Sequence, residues 1–161
     1  MRTAMKVVVG FLLVVLSGAA YARETDVGDH IESFSLPDQF DRSHVVNSET
    51  RLIVFSRDKD MAKLAFEILD RKESNFLANR KAVMLLDISA MPRIITWAIG
   101  KRRMRRHEFP ILLDAGPGPT ANLPSKEKAV SFVYLKDLVV SDVAFVSDAK
   151  IMEKTLDVLV K

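Results

Sequence analysis

The chain contains no cysteine, and this absence excludes several classes of function. Without a thiol there is no disulfide, no thiolate nucleophile and no lipid attached at a cysteine. The three histidines, His30, His44 and His107, are scattered and do not have the ligand spacing of a structural zinc site. There is no Gly-x-Ser-x-Gly motif of a hydrolase either. Packing alone must therefore stabilise the fold.

The chain also lacks a second long apolar run beyond its first 22 residues. Those residues carry Arg2 and Lys6, then an apolar run, then small residues that end in Ala20-Tyr21-Ala22. This is the pattern of a secretory signal peptide, and its apolar run is shorter than the roughly 20 residues of a membrane-spanning helix. We predict a signal peptide over 1–22, one mature domain over 23–161, a periplasmic or secreted location, and no stable membrane insertion.

Excess charge of one sign is missing from the predicted mature domain. The whole chain has a formal net charge of +3, with 24 basic and 21 acidic residues. Removing Arg2 and Lys6 with the signal peptide leaves 22 basic and 21 acidic residues. A nearly neutral exported domain gives no reason to expect a nucleic-acid partner.

What the chain does contain is an alternation of buried strands and amphipathic helices. Continuous apolar runs at Leu52–Phe55 and Ala82–Leu86 are typical of strands that are buried on both faces. Apolar residues at helical spacing follow each run. The first stripe is Met61, Leu64, Ala65, Ile68 and Leu69; the second is Met91, Ile94, Ile95, Ala98 and Ile99.

The second half of the chain predicts a third strand and a hairpin. Phe109–Asp114 is the strand, and residues 115–120 form a loop rich in glycine and proline. Val130–Leu135 and a returning strand in two pieces over 138–146 form the hairpin, with its turn at Lys136-Asp137, and a last helix starts at Ser147-Asp148. The fold class is thus α/β: a mixed sheet with parallel core strands and a C-terminal antiparallel hairpin, flanked by helices in three layers.

This order resembles the thioredoxin-like superfamily, in its redoxin or peroxiredoxin-like branch. The lead-in Val27-Gly28-Asp29-His30-Ile31-Glu32-Ser33-Phe34-Ser35-Leu36-Pro37-Asp38-Gln39 is similar to the opening of redoxin domains. The segment Phe109-Pro110-Ile111-Leu112-Leu113-Asp114 is similar to the place where such domains have a cis-proline before a core strand. The resemblance implies a three-layer sandwich, with Pro110 in the cis form beside the turn that follows the first core strand.

That turn departs from the redoxin pattern in the feature that carries the chemistry. Redoxins attack disulfides or peroxides with a thiolate, whereas this turn reads Ser56-Arg57-Asp58-Lys59-Asp60-Met61. A serine without a neighbouring base cannot replace a thiolate. The resemblance is therefore to a cysteine-free, exported member, for which thiol-based redox activity is excluded.

The same turn is the first candidate binding site. Arg57, Asp58 and Lys59 lie at the predicted start of a helix, where free N–H groups and the helix dipole favour a carboxylate or phosphate. The alternative is that Ser56 or Asp58 caps the helix and the other charges are solvated.

Two further candidates lie between the second helix and the third strand. Pro110, by the resemblance, presents backbone to an extended peptide; the alternative is a purely architectural proline. A basic run lies over 101–106 and includes Arg102, Arg103, Arg105 and Arg106. It predicts contact with an anionic partner or an acidic membrane surface. The alternative is a solvated helix end, where cations suit the helix dipole.

We expect an exported, non-catalytic domain that binds a protein or peptide in the periplasm. The alternative is a small-ligand or cofactor binder, for example of a flavin, or an enzyme that uses the charged helix start over 57–60. The residues themselves call for no cofactor and no metal.

Overall fold

The computed structural model describes residues 23–90, 100–116 and 118–158. The predicted signal peptide and residues 91–99 of the predicted second helix lie outside this part of the chain. The strands are β1 (Phe34–Pro37), β2 (Ser43–Val46), β3 (Leu52–Ser56), β4 (Ala82–Asp87), β5 (Ile111–Asp114), β6 (Val130–Lys136) and β7 (Val139–Val146). The helices are α1 (Lys59–Leu69), α2 (Phe76–Asn79), α3 (Lys101–Met104) and α4 (Ala149–Val158), and a 3₁₀ turn spans Pro119–Asn122.

Five strands form one mixed sheet in the order β5-β4-β3-β6-β7. β3 pairs in parallel with β4, and β4 pairs in parallel with β5, whereas β6 runs antiparallel to both β3 and β7. The predicted mixed sheet is therefore confirmed. Because β3, β4 and β5 are parallel, their last residues Ser56, Asp87 and Asp114 lie along one edge of the sheet, which we call the carboxyl edge.

Side chains alternate between the two faces of this sheet, as the period of a strand requires. On β3, Leu52 and Val54 belong to the core cluster that contains the buried residues of α1, α2 and α4. Ile53 and Phe55 belong to the opposite cluster, and all four are at most 1% exposed. A strand that is buried on both faces explains the continuous apolar run in the sequence.

The face opposite the helices is covered by the lead-in. β1 and β2 form a separate antiparallel hairpin, and Leu36 and Val46 of this hairpin pack in the same cluster as Phe55 and Leu112. A bridge between Asp38 and Leu112 ties the lead-in to the edge strand β5. The described helices, the sheet and this lead-in layer make three layers.

Two local predictions need correction. The returning strand, predicted in two pieces, is the single strand β7; its register with β6 shifts at Ser141, because Tyr134 lies opposite Asp142 and Leu135 lies opposite Val140. The hairpin turn lies one residue later than predicted, at Asp137 and Leu138, which have φ values of 52° and 65°. Positive φ at both positions matches the right-handed twist of the flanking strands, and Leu138 is buried against the lead-in.

Across the described residues, we find no helix with the length and apolar character needed to cross a bilayer.

Candidate functional site

The turn after β3 is a capped helix start. Asp58 is the N-cap of α1, and its Oδ1 accepts hydrogen bonds from the backbone N–H groups of Asp60 (2.9 Å) and Met61 (3.0 Å). The hydroxyl of Ser56 accepts from the N–H of Asp58 at 3.1 Å, which fixes the turn. The Asp58 carboxylate thus supplies the negative charge that the helix dipole favours. An external anion would have to displace it, so the geometry favours the capping interpretation of this turn.

Arg57 is held by four polar contacts at the carboxyl edge. Its Nε donates to Oδ2 of Asp87 at 3.1 Å. Its Nη2 donates to the carbonyl oxygens of Thr120 (2.6 Å) and Ala121 (2.8 Å), and its Nη1 donates to Oγ of Ser125 (2.7 Å). These contacts join β3, β4 and the 3₁₀ turn. The guanidinium therefore stabilises the fold and is not left open for a ligand.

The structure contradicts both expectations for Pro110. The described residues contain no cis peptide bond, so the bond before Pro110 is trans. Pro110 also directly precedes β5, whereas Ser56 ends β3, and the two strands run parallel through β4. Their starts and ends lie at opposite edges of the sheet, so Pro110 is not beside the turn at Ser56. The strand that runs antiparallel to β3 beside that turn is β6, which begins at Val130.

The backbone around Pro110 is already paired with Gln39. The Gln39 side chain is fully buried; its Nε2 donates to the carbonyl of Phe109 at 2.9 Å, and its Oε1 accepts from the N–H of Ile111 at 2.8 Å. An extended peptide would need these same backbone groups. The site predicted at Pro110 is thus closed by the lead-in, and the architectural interpretation fits the contacts.

The basic run divides into two groups. Lys101 and Arg105 contact the side chain of Asp41, and Nε of Arg105 also donates to the Gln39 carbonyl at 3.0 Å. This group fastens α3 to the lead-in. The second group is exposed, and its side chains have no ion pair or hydrogen bond within the described residues; its members are Arg102, Arg103 and Arg106.

A groove of about 620 Å³ runs between α1 and the segment 100–107. We call it the α1 groove. Its apolar lining comes from Ala62 and Phe66 of α1, Leu86 of β4 and Met104 of α3. Its charged lining on α1 is Lys59, Asp60, Lys63, Glu67 and Asp70, and on the other side it is Arg103 and Arg106. The groove thus brings together Lys59 and two of the predicted arginines, which the sequence places more than 40 residues apart.

His107 lines the α1 groove near the end of α1, a position that no pattern in the sequence indicates. Its Nδ1 lies 2.8 Å from Oδ1 and 2.9 Å from Oδ2 of Asp70, the C-cap of α1. Its ring lies 4.9 Å from that of Phe66 and 5.5 Å from that of Phe109, measured between centroids. The pair joins α1 to the end of the basic run. Because 37 residues separate Asp70 from His107, no local pattern could reveal the contact.

The described residues hold no group of three or more His, Asp or Glu side chains that could bind a metal ion. The carboxylates at the carboxyl edge have other partners: Asp87 pairs with Arg57, and Asp114 accepts from the N–H and the hydroxyl of Thr120.

Comparisons with known proteins agree on the fold. No protein-family model matches the chain, and no curated protein matches it in sequence. Among solved structures, the peroxidoxin BcpB from Mycobacterium tuberculosis matches with a TM-score of 0.54 and 16% identity, over 86% of this chain and 100% of that one. The thioredoxin domain of a thiol-disulfide oxidoreductase from Bacteroides vulgatus matches with a TM-score of 0.52 and 9% identity, over 86% and 100%.

The fold is thioredoxin-like. This confirms the architecture predicted from the order of the elements and the redoxin-like lead-in. At such low identities the likeness concerns the fold alone. Within this thioredoxin-like fold, the helix start where the resemblance placed a thiolate holds the Asp58 cap and the anchored Arg57, and the open space lies along the side of α1.

Proposed function

We propose that this thioredoxin-like domain is exported, is non-catalytic, and binds a protein or peptide partner in the periplasm through the α1 groove. The observation that carries the proposal is the contrast between the start of α1 and the groove along its side. The helix start is occupied by the chain's own groups, while a groove with an apolar floor lies beside it. An apolar concave surface with a few charged groups beside it has the general character of a binding site.

Export is supported by the first 22 residues, whose pattern is that of a cleaved signal peptide. The absence of cysteine leaves no thiol for exchange chemistry in the oxidising periplasm. The alternative of a ligand or enzyme site over 57–60 gains no support, because Arg57 and Asp58 are engaged in intramolecular contacts.

Photocrosslinking in living cells tests the proposal. A photoreactive amino acid replaces Lys63, whose side chain is 75% exposed on the rim of the α1 groove. A matched control carries it at Glu32, an exposed lead-in residue on the opposite face of the sheet. We expect a discrete protein adduct at position 63 and none at position 32. We also expect the protein to be recovered in the periplasmic fraction with Arg23 as its first residue.

Two results would contradict the proposal. A chain retained in the cytoplasm with residues 1–22 intact would remove the export step. Adducts of equal intensity at positions 63 and 32, or none at either, would show that the α1 groove is not the docking surface.

A further inference from the structure

The α1 groove has positive charge that the chain does not neutralise. Lys63 lies 3.7 Å from Glu67, and Asp70 is bonded to His107, so these charges have partners, and the opposite charges of Lys59 and Asp60 cancel within the lining. The side chains of Arg103 and Arg106 have neither an ion pair nor a hydrogen bond in residues 23–90, 100–116 and 118–158. The remaining residues contain no Asp or Glu, so no side-chain carboxylate outside the described part can neutralise these arginines either.

The neighbouring basic residues show that only part of the basic run lacks an acidic partner within the described residues. Lys101 and Arg105 come from the same short segment, and both contact Asp41. The two arginines on the groove side remain unpaired and are three positions apart. A guanidinium binds a carboxylate through two parallel hydrogen bonds, so an arginine pair of this kind suits a partner with two carboxylates.

The length and the apolar floor of the groove do not suit a compact anion. Its lining follows α1 from Lys59 to Asp70, a length of roughly 16 Å at 1.5 Å per residue. Its floor is apolar, with Phe66 and Met104 on opposite sides. A phosphate or acetate ion would leave this floor uncovered. An amphipathic helix of about three turns matches both the length and the combination of an apolar floor with a cationic side, which Arg103 and Arg106 form opposite the mixed charges of α1.

We propose that the α1 groove binds an acidic amphipathic helical segment of a partner protein, whose apolar face covers Phe66 and Met104 and whose carboxylates pair with Arg103 and Arg106. This inference rests on the proposed peptide-binding function and adds the chemistry of the partner. The chain's own segment 91–99 does not meet this description, because it contains no acidic residue.

A displayed library of random 14-residue peptides, selected on the purified protein, tests the inference. We expect enrichment of sequences with apolar residues at helical spacing and Asp or Glu three or four positions apart. The double variant R103E/R106E should lower retention of these sequences at least tenfold. The matched control R102E, an exposed arginine of α3 outside the groove, should retain them within twofold. Circular dichroism of both variants checks that the fold is intact.

The outcomes separate this inference from the proposed function. If no peptide is enriched, if the enriched peptides lack acidic residues, or if R103E/R106E retains them, the acidic partner is overturned. A groove-specific adduct in cells would then leave the proposed function standing. Sedimentation with phosphatidylglycerol vesicles that depends on Arg103 and Arg106, without peptide enrichment, would assign the pair to a membrane surface. A dimer that R103E/R106E dissociates would assign it to a second copy.

Discussion

Replacing Arg57 by alanine should destabilise the domain, because this side chain joins three parts of the carboxyl edge. The substitution removes an ion pair with Asp87 and three further hydrogen bonds. Hydrogen bonds to a charged group contribute about 1.5–3 kcal/mol each, but they are not additive, and the Arg57 side chain is 37% exposed, so water replaces part of the loss. The Asp87 side chain is only 11% exposed and would keep a charge without its partner.

We therefore expect the free energy of unfolding to fall by about 2–4 kcal/mol, which lowers Tm by roughly 5–15 °C for a domain of this size. Urea denaturation followed by circular dichroism measures the change. R102A is the matched control: Arg102 is exposed, has no polar partner among the described residues, and should alter stability by at most about 0.5 kcal/mol.

The result also distinguishes a structural role from ligand binding at Arg57. If R57A unfolds within about 0.5 kcal/mol of the wild-type protein, the four contacts do not stabilise the fold and our interpretation of the helix start is wrong. If added phosphate raises the Tm of the wild-type protein and not that of R57A, the guanidinium binds anions and the alternative site over 57–60 regains support.

Two further predictions concern buried carboxylates. Burial raises the pKa of Asp38, but hydrogen bonds from the N–H of Arg42, the ring of His44 and the N–H of Phe40 outweigh it, so this pKa lies below its ordinary value of 3.8. The stabilisation is therefore present above that value and disappears as pH falls through the lowered pKa. The gap in unfolding free energy between wild type and D38N should narrow as pH falls below 4, and a gap that does not narrow there would refute this. In G118A, the new Cβ would lie 2.5 Å from Oδ1 of Asp114, so the free energy of unfolding should fall by about 1–3 kcal/mol. The control is G116A, whose new Cβ meets no atom within 4 Å and should leave stability unchanged. Equal losses of stability in the two variants would contradict the steric reason.

The layout of the fold was predictable because its signals are local and periodic. The run Leu52–Phe55 is buried on both faces of the sheet, and the stripe that includes Ala65 and Ile68 faces the core, as their patterns indicated. Asp58 was a recognisable cap because its type and its place before an apolar stripe suffice. Each of these predictions depends on residues within about ten positions of one another.

The candidate site was only partly predictable because its contacts connect distant segments. Arg57 finds its partner Ser125 at a separation of 68 residues, and Gln39 finds Ile111 at 72. Nothing near Arg57 in the sequence distinguishes an anchored guanidinium from a free one. The predicted position of Pro110 is wrong for a related reason. The sequence shows a proline before a strand, but only the pairing of β3, β4 and β5 determines at which edge of the sheet that proline lies.

The start and the side of α1 differ in what they leave available for binding. A helix start can hold a reactive or anionic group only if its N–H groups are free, and here Asp58 uses those of Asp60 and Met61. The cation that could have assisted, Arg57, is bonded to the 3₁₀ turn. The side of the helix has the opposite properties, since it lines an apolar groove in which the side chains of Arg103 and Arg106 have no ion pair within the described residues. In this thioredoxin-like fold we therefore expect a partner to bind along the side of α1 and not at the helix start, where a redoxin has its nucleophile.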